Sequence, residues 1–419
     1  EINTTVLNNT KTTKKVVVET TILSPEKIKV GESSTELTLD FEGQLVQKIR
    51  VNIPQLWSLE TTNLYTSITN IKDLDGALLD TFKSTFGFRK IEFTSDQGFF
   101  LNKKHVKLKG VCLHHDLGPL GSAINTSALR FRMQLLKDMG CNAIRTSHNP
   151  PTPELLDLAD QMGFLIINEI FDEWKSPKNE NGYAALHWDK WAEKDLVSFI
   201  HRDRNHPSII LWSLGNEVRE QNESNGAEIT KWLHTISKRE DPTRPTTIGM
   251  NHWEGAIKNG MAEVVDVQGW NYKPEHYKFI HEQHPDWKMY GSETVSAISS
   301  RGEYYLPASI KRQYTRASLQ CNAYETESVE WGHLADEEFT YQDKSDFMAG
   351  EFVWTGFDYL GEPTPYNDVW PSRSSYFGII DLCGIPKDRY YLYKSKWSTE
   401  KVLHLLPHWN WENGDKVDV

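Results

Sequence analysis

Two glutamates, Glu217 and Glu293, each lie at the end of a segment that is a candidate β-strand. The run before Glu217, "SIILWSLGNE", is rich in β-branched and aromatic residues, which favours a strand covered on both faces. A lone carboxylate at a strand end is often only a solvated group or a helix cap. Two opposed carboxylates can instead cleave a glycosidic bond, because one protonates the leaving oxygen and the other meets the positive charge at the anomeric carbon.

The elements that would position these glutamates form a repeating pattern of strand, loop and helix from about residue 105 onward. The strand candidates are 106–114, 142–148, 164–171, 208–217, 246–251, 264–272, 288–294 and 347–359. Eight such strands predict a (β/α)8 TIM barrel, whose active site lies at the C-terminal ends of the strands. Strands four and seven, which end in Glu217 and Glu293, face each other across the mouth of such a barrel. For the first helix, the sequence predicts Thr126 or Ser127 as the N-cap and Gly140 just after the end.

Residues 1 to about 90 follow a different pattern. Short alternating runs such as "KKVVVETTIL" and "TELTLDF" are separated by turn-forming clusters. Five or six short strands at this spacing predict a small antiparallel β-sandwich. The segment "FFLNKKHVKLKGV" predicts a hairpin that leads into the first barrel strand.

Composition limits the classes of partner. The formal charge of −12 argues against nucleic acid or another acidic polymer as a partner. No run of 18 apolar residues is present, so no membrane span is expected. The four cysteines show no metal-ligand spacing, and Cys112 and Cys141 are expected to be buried free thiols. The fifteen tryptophans favour carbohydrate as a partner, since flat aromatic faces suit the C–H faces of sugar rings.

Three segments, "CNAIRTSHNPP", "RDRNHPSIILWSLGNE" and "AGEFVWTGFDYLGEPTPY", resemble the signatures of glycoside hydrolase family 2, which includes β-galactosidases, β-glucuronidases and β-mannosidases. The resemblance covers roughly residues 90 to 410, and the N-terminal sandwich fits the immunoglobulin-like domain that precedes the barrel in that family. It implies a retaining exo-acting enzyme with Glu217 as acid/base and Glu293 as nucleophile. "DYLGEPTPY" is most similar to the β-galactosidase branch, which implies release of terminal β-linked galactose.

The resemblance also assigns roles to other residues. The residues expected to contact the sugar or the nucleophile are His114, His148, Asn216, Tyr272 and Trp354, and the supporting residues are Arg145 and Glu173. Asn216 would bond the sugar 2-hydroxyl. For a retaining enzyme, the two catalytic carboxyl groups are expected about 5 to 5.5 Å apart.

The sequence departs from the family pattern at two places. In "FDEWK", Lys175 stands where the β-galactosidase branch has a histidine that binds Mg²⁺, so no metal or other cofactor is expected at Glu173. The Asn-x-Lys pair with which β-glucuronidases grip the substrate carboxylate does not follow Glu293. A β-glucuronidase or another family 2 exo-glycosidase remains the alternative enzyme, and a catalytically dead carbohydrate-binding protein the alternative of another class.

The expected organisation is an immunoglobulin-like sandwich at 1–92, a catalytic barrel at 93–410, and the start of a further C-terminal region at 411–419. The family's usual N-terminal sugar-binding domain is not in the sequence, which suggests a piece of a longer protein whose sugar site is incomplete. A periplasmic or secreted location is expected if the full protein carries a signal peptide, and a cytoplasmic one otherwise. The sequence leaves open whether the chain forms a homo-oligomer.

Overall fold

A computed structural model describes residues 1–371, 373–412 and 414, which form two compact units. The first unit comprises Glu1–Lys90 with the short segments Asp160–Gly163 and Arg204–Pro207, and the other described residues form the second. Most of the expected C-terminal region 411–419 lies outside the described residues. No helix in the described part of the chain combines the length and apolar character that crossing a membrane requires.

The first unit is an antiparallel β-sandwich, as predicted. Its strands are β1 (Ile2–Leu7), β2 (Lys14–Leu23), β3 (Lys29–Leu39), β4 (Glu42–Gln47), β5 (Tyr65–Lys72) and β6 (Leu78–Phe86). β1 pairs with β4, and the other strands form a sheet in the order β3-β2-β5-β6. Alternate residues of β2 point inward, so Val16 and Val18 pack against Leu39 of β3 and Leu45 of β4. This shared core explains the alternating sequence pattern.

The second unit begins with a small antiparallel sheet and continues as a barrel. Its strands are β7 (Ile91–Thr94), β8 (Gly98–Leu101), β9 (Lys104–His105), β10 (Leu108–Leu113), β11 (Ala143–Thr146), β12 (Leu165–Glu169), β13 (Ile209–Asn216), β14 (Thr246–Met250), β15 (Val267–Asn271), β16 (Met289–Val295), β17 (Lys311–Arg312), β18 (Glu327–Ser328) and β19 (Met348–Trp354). The predicted hairpin is the pair β8 and β9, which joins β7 in a three-stranded sheet.

The barrel consists of eight parallel strands that close in the order β10-β11-β12-β13-β14-β15-β16-β19. All eight predicted strands are present, and the predicted TIM-barrel fold is therefore confirmed. The central strands β11 to β16 are buried along their whole length, as expected for a parallel sheet covered by helices. β17 and β18 pair with each other in the long segment that follows β16.

Helices follow the barrel strands. They are α1 (Thr126–Met139), α2 (Pro153–Met162), α3 (Tyr183–Leu186), α4 (Trp188–Asp203), α5 (Gly226–Glu240), α6 (Trp253–Lys258), α7 (Met261–Val264), α8 (Tyr277–Gln283), α9 (Ala335–Asp343) and α10 (Asp388–Trp397). The predicted N-cap of α1 is wrong by one or two residues. Asn125 has an extended backbone and its side chain accepts a hydrogen bond from the Ala128 amide, so Thr126 and Ser127 lie inside the helix. Gly140 ends α1 in a left-handed conformation, as predicted.

Candidate active site

The C-terminal ends of the barrel strands bring most of the predicted site residues together. β13 ends at Asn216, β15 at Asn271 and β19 at Trp354, while Glu293 lies near the end of β16. The strand pairing shifts in register just before Asn216 and again just before Asn271. Such irregularities re-aim side chains next to active sites, and here they precede both asparagines.

Glu293 is held by donors from two other strand ends. Arg145 Nη1 donates to its Oε1 at 2.8 Å, and the Tyr272 hydroxyl donates to its Oε2 at 3.0 Å. His148 Nε2 lies 3.6 Å from Oε1. The carboxylate is almost fully buried, so these contacts fix its orientation inside the barrel mouth.

Arg145 organises the floor of the site. Its fully buried guanidinium donates to Glu169 Oε2 at 2.7 Å and to Asn216 Oδ1 at 2.9 Å, in addition to its bond with Glu293. Burial alone would lower its pKa, but the nearby Glu169 and Glu293 carboxylates hold the pKa well above its usual value. One permanent cation therefore serves two carboxylates.

Glu169 is a residue of the site that was not predicted from the sequence. Its Oε2 accepts from Arg145 and from the Ser213 hydroxyl at 2.6 Å, and its Oε1 contacts His148 Nδ1 at 2.7 Å. Both carboxylate oxygens are thus occupied. Glu169 positions Arg145 and His148, and only its place at the end of β12 signalled this in the sequence.

Glu217 occupies a different environment from Glu293. Its backbone adopts a left-handed conformation with φ 44°, which is rare for a residue other than glycine, and its amide donates to the Gly249 carbonyl at 2.8 Å. Burial and the charge of Glu293 raise the pKa of Glu217 to about 7, although a hydrogen bond from Asn271 acts in the opposite direction. Glu217 therefore carries a proton over part of the neutral range.

Asn271 links the two glutamates, and it was missed as a site residue. Its Nδ2 donates to Glu217 Oε1 at 2.9 Å and to Asn216 Oδ1 at 3.1 Å, while its Oδ1 accepts from the Ser292 hydroxyl at 2.6 Å. Ser292 directly precedes Glu293. The short segment "NY" supplies both this link and the Tyr272 hydroxyl, and the sequence predicted a role only for the tyrosine.

Aromatic rings form one wall of the site. Trp354 stacks on His148 with ring centroids 5.2 Å apart and an interplanar angle of 6°, and His114 meets both rings edge-on. Burial lowers the pKa of His148 to about 3, so its imidazole is neutral. With Nδ1 donating to Glu169, its Nε2 can accept from Asn216 Nδ2 at 3.3 Å. The wall combines apolar ring faces with defined polar atoms.

Glu173 is not in contact with Glu217 or Glu293. Its Oε2 accepts from the Lys178 backbone amide at 2.6 Å and its Oε1 from the Ala184 amide at 2.9 Å, so it orders the loop after β12. Lys178 in turn donates from Nζ to the Asn216 carbonyl at 2.8 Å. The described residues contain no group of three or more His, Cys, Asp or Glu side chains suited to a metal ion.

A cavity of about 680 Å³ opens beside His114 and His148. The loop after β12 and the helix α4 line its other side with aromatic and charged residues, among them Phe171, Tyr183 and Arg202. The volume is sufficient for a small oligosaccharide, and the cavity reaches the site through His114 and His148 while Glu217 and Glu293 are not among its lining residues.

Comparisons with known proteins agree with this architecture. The family model "Glycosyl hydrolases family 2, TIM barrel domain" matches residues 92–373, and the model "Glycosyl hydrolases family 2" matches residues 1–89. The chain is 40% identical to a β-galactosidase of Bacteroides ovatus, over 99% of this chain and 53% of that protein. It is 29% identical to a β-glucuronidase of Bacteroides fragilis, over 86% of this chain and 51% of that protein.

Among solved structures, a β-glycosidase from Bacteroides vulgatus superposes with a TM-score of 0.81 at 32% identity, covering 97% of this chain and 55% of that one. The chain thus spans about half the length of these relatives. The family resemblance predicted from "RDRNHPSIILWSLGNE" and the other two motifs is confirmed. The chain belongs to family 2 of the glycosyl hydrolases.

Proposed function

We propose that the chain is the catalytic part of a retaining exo-acting glycoside hydrolase that releases terminal β-linked galactose. The observation that carries this proposal is the contrast between the two glutamates. Glu293 is held by Arg145 and Tyr272, whereas Glu217 has a pKa raised to about 7. A fixed carboxylate beside a protonated one is the arrangement that double displacement needs.

In the first step, Glu293 attacks the anomeric carbon while Glu217 gives its proton to the glycosidic oxygen. The glycosidic C–O bond breaks, the aglycone leaves as an alcohol, and the sugar remains as an ester of Glu293. Formation of the neutral ester removes the charge that helped to raise the pKa of Glu217. Glu217 can then take a proton from water as the water oxygen attacks the anomeric carbon and releases Glu293.

The surrounding residues have supporting roles in this proposal. Trp354, His114 and His148 form the wall against which the sugar ring packs, and Asn216 bonds the sugar 2-hydroxyl. Arg145, Tyr272 and Asn271 hold the carboxylates, and Glu173 orders the loop after β12. We also propose that residues 1–92 and 93–410 form separate domains.

Galactose is the preferred sugar because of the 40% identity to a β-galactosidase. A β-glucuronidase is the second candidate, because the relatives also include β-glucuronidases. The presence of both Glu217 and Glu293 argues against a dead carbohydrate-binding protein. A comparison of nitrophenyl β-galactoside with nitrophenyl β-glucuronide tests the choice.

The 419-residue chain should hydrolyse the galactoside with the higher kcat/KM. Glu293→Gln should remove this activity, while Glu330→Gln, which alters an exposed carboxylate, should retain it. Faster hydrolysis of the glucuronide would favour the second candidate, and hydrolysis of neither substrate would contradict the proposal.

A further inference from the structure

Glu362, in the segment after β19, is a carboxylate beside the aromatic wall that the proposed reaction does not use. The Tyr359 hydroxyl donates a hydrogen bond to Glu362 Oε2. The Tyr359 ring in turn lies 4.3 Å from His114 and 5.8 Å from Trp354 between ring centroids. Tyr359 therefore ties Glu362 to the rings against which the sugar is proposed to pack.

This carboxylate has acceptor capacity to spare. Within the part of the chain that the structure describes, the Tyr359 hydroxyl donates to Oε2 of Glu362, and no hydrogen-bond donor contacts its Oε1. The side chain is partly exposed, so a ligand can reach it. Sugar hydroxyl groups are donors that suit a carboxylate oxygen.

The electrostatic surroundings of Glu362 are negative on the site side. Burial raises its pKa, the hydrogen bond from Tyr359 lowers it, and the charge of Glu293 raises it further. Arg145, the buried cation of the site, is already bonded to Glu169 and Glu293. A carboxylate on the sugar would therefore meet repulsion from Glu362 and Glu293, while the guanidinium of Arg145 is already paired.

We propose that Glu362 is a specificity-determining residue, which accepts a hydrogen bond from a hydroxyl of a neutral terminal sugar and disfavours a sugar that carries a carboxylate. This inference rests on the proposed function and deepens it, because it explains how the site would distinguish galactose from a uronic acid. It also assigns a role in binding to the segment "LGEP".

The most direct test is the binding of free D-galactose and D-galacturonate. The two sugars differ only at C6, where galacturonate has a carboxylate and galactose has a hydroxymethyl group. Calorimetry on the wild-type chain should show galactose binding at least about tenfold tighter than galacturonate. Glu362→Gln should weaken galactose binding about tenfold and bring the two affinities within about threefold, because the amide keeps the size but loses the charge. Glu400→Gln, which removes a charge from an exposed surface ion pair with Lys394, is the matched control.

Tyr359→Phe separates a binding role from a structural one. It leaves the charge of Glu362 in place but removes the bond that orients it, so it should weaken galactose binding while the discrimination against galacturonate persists. If Glu362→Gln left the ratio of the two affinities unchanged, or if the wild type bound neither sugar, the inference would be overturned. Binding of galactose without hydrolysis of any galactoside would instead contradict the proposed function alone.

Discussion

At the scale of single residues, Glu217 and Glu293 show how two identical side chains can be placed in opposite environments. The Glu293 carboxylate receives hydrogen bonds from a buried guanidinium and a phenol, while the Glu217 carboxyl group receives one from the side-chain amide of Asn271. The strand ends in the sequence predicted this pair, and the family resemblance implied which glutamate is the acid/base and which the nucleophile. The sequence could not predict Asn271 or Glu169 as partners, because their contacts depend on which side chains meet inside the closed barrel.

The raised pKa of Glu217 predicts the pH dependence of activity. A pKa raised to about 7 means that the acid form persists up to that pH, so kcat/KM should fall as the pH rises through about 7. Measurement of kcat/KM from about pH 4 to about pH 9 with a galactoside of poor leaving ability would show this alkaline limb. If kcat/KM of the Glu217→Gln variant still fell at the same alkaline pH, the titrating group would have to be another residue.

The separate roles of the glutamates predict different responses to the leaving group. Glu217→Gln should lower kcat/KM for a poor leaving group about 10²- to 10⁴-fold, and far less for an activated aryl galactoside that needs little protonation. Glu293→Gln should abolish both activities. Equal losses with both leaving groups in Glu217→Gln would mean that the acid lies elsewhere.

At the scale of elements, the barrel strands were predictable and their fine alignment was not. Apolar, β-branched runs such as that of β13 favour buried parallel strands, and the regular alternation with helical segments located the remaining barrel strands. The register shifts before Asn216 and Asn271 leave no comparable pattern in the sequence. The N-cap of α1 was misplaced because Asn125, Thr126 and Ser127 are all good capping residues, and only the backbone conformation distinguishes them.

Strand β14 carries a glycine, Gly249, where a side chain would collide with the hydrogen-bonded residues of the site. A Cβ atom at Gly249 would lie 2.8 Å from Arg145 Nη2 and 2.9 Å from Asn216 Oδ1. Gly249→Ala should therefore displace this network, lowering kcat/KM at least about tenfold and stability by about 1 to 3 kcal/mol.

Ile248→Val, on the other face of the same strand, is the control for Gly249→Ala. It should cost about 0.5 to 1.5 kcal/mol of stability while activity is kept. Kinetics and denaturant unfolding measure both effects. Full activity in Gly249→Ala would show that the hydrogen-bond network tolerates the added methyl group.

At the scale of the whole molecule, the sequence predicted two units because its hydrophobic period changes near residue 100. Strands of the sandwich are buried on one face, so apolar and polar residues alternate along them. Strands of the barrel are buried on both faces, so they form continuous apolar runs. The sequence predicted no helix or strand in the long segment between β16 and α9. The strands β17 and β18 in this segment have two residues each, which is too short for an alternating hydrophobic pattern.

The distribution of cysteines predicts the reactivity of the folded chain. Cys112, Cys141 and Cys321 are buried, and burial raises the pKa of each thiol to about 12, whereas Cys383 is exposed. A disulfide reagent should therefore titrate one thiol in the native chain and four after unfolding. Cys383→Ser should remove the native reaction. Rapid reaction of a second thiol in the native chain would contradict this packing.

The central claim is that Glu293 forms a covalent bond with the sugar, and trapping that ester is the most direct test. In a 2-deoxy-2-fluoro-β-galactoside with an activated leaving group, the fluorine slows both steps and the leaving group restores the rate of the first. Hydrolysis of the ester is then the slow step, so the intermediate should accumulate. Mass spectrometry of the digested protein should then find the fluorosugar on the peptide that contains Glu293. Attachment to Glu217 or Glu169, or turnover that releases the α-anomer without any labelled peptide, would contradict the account.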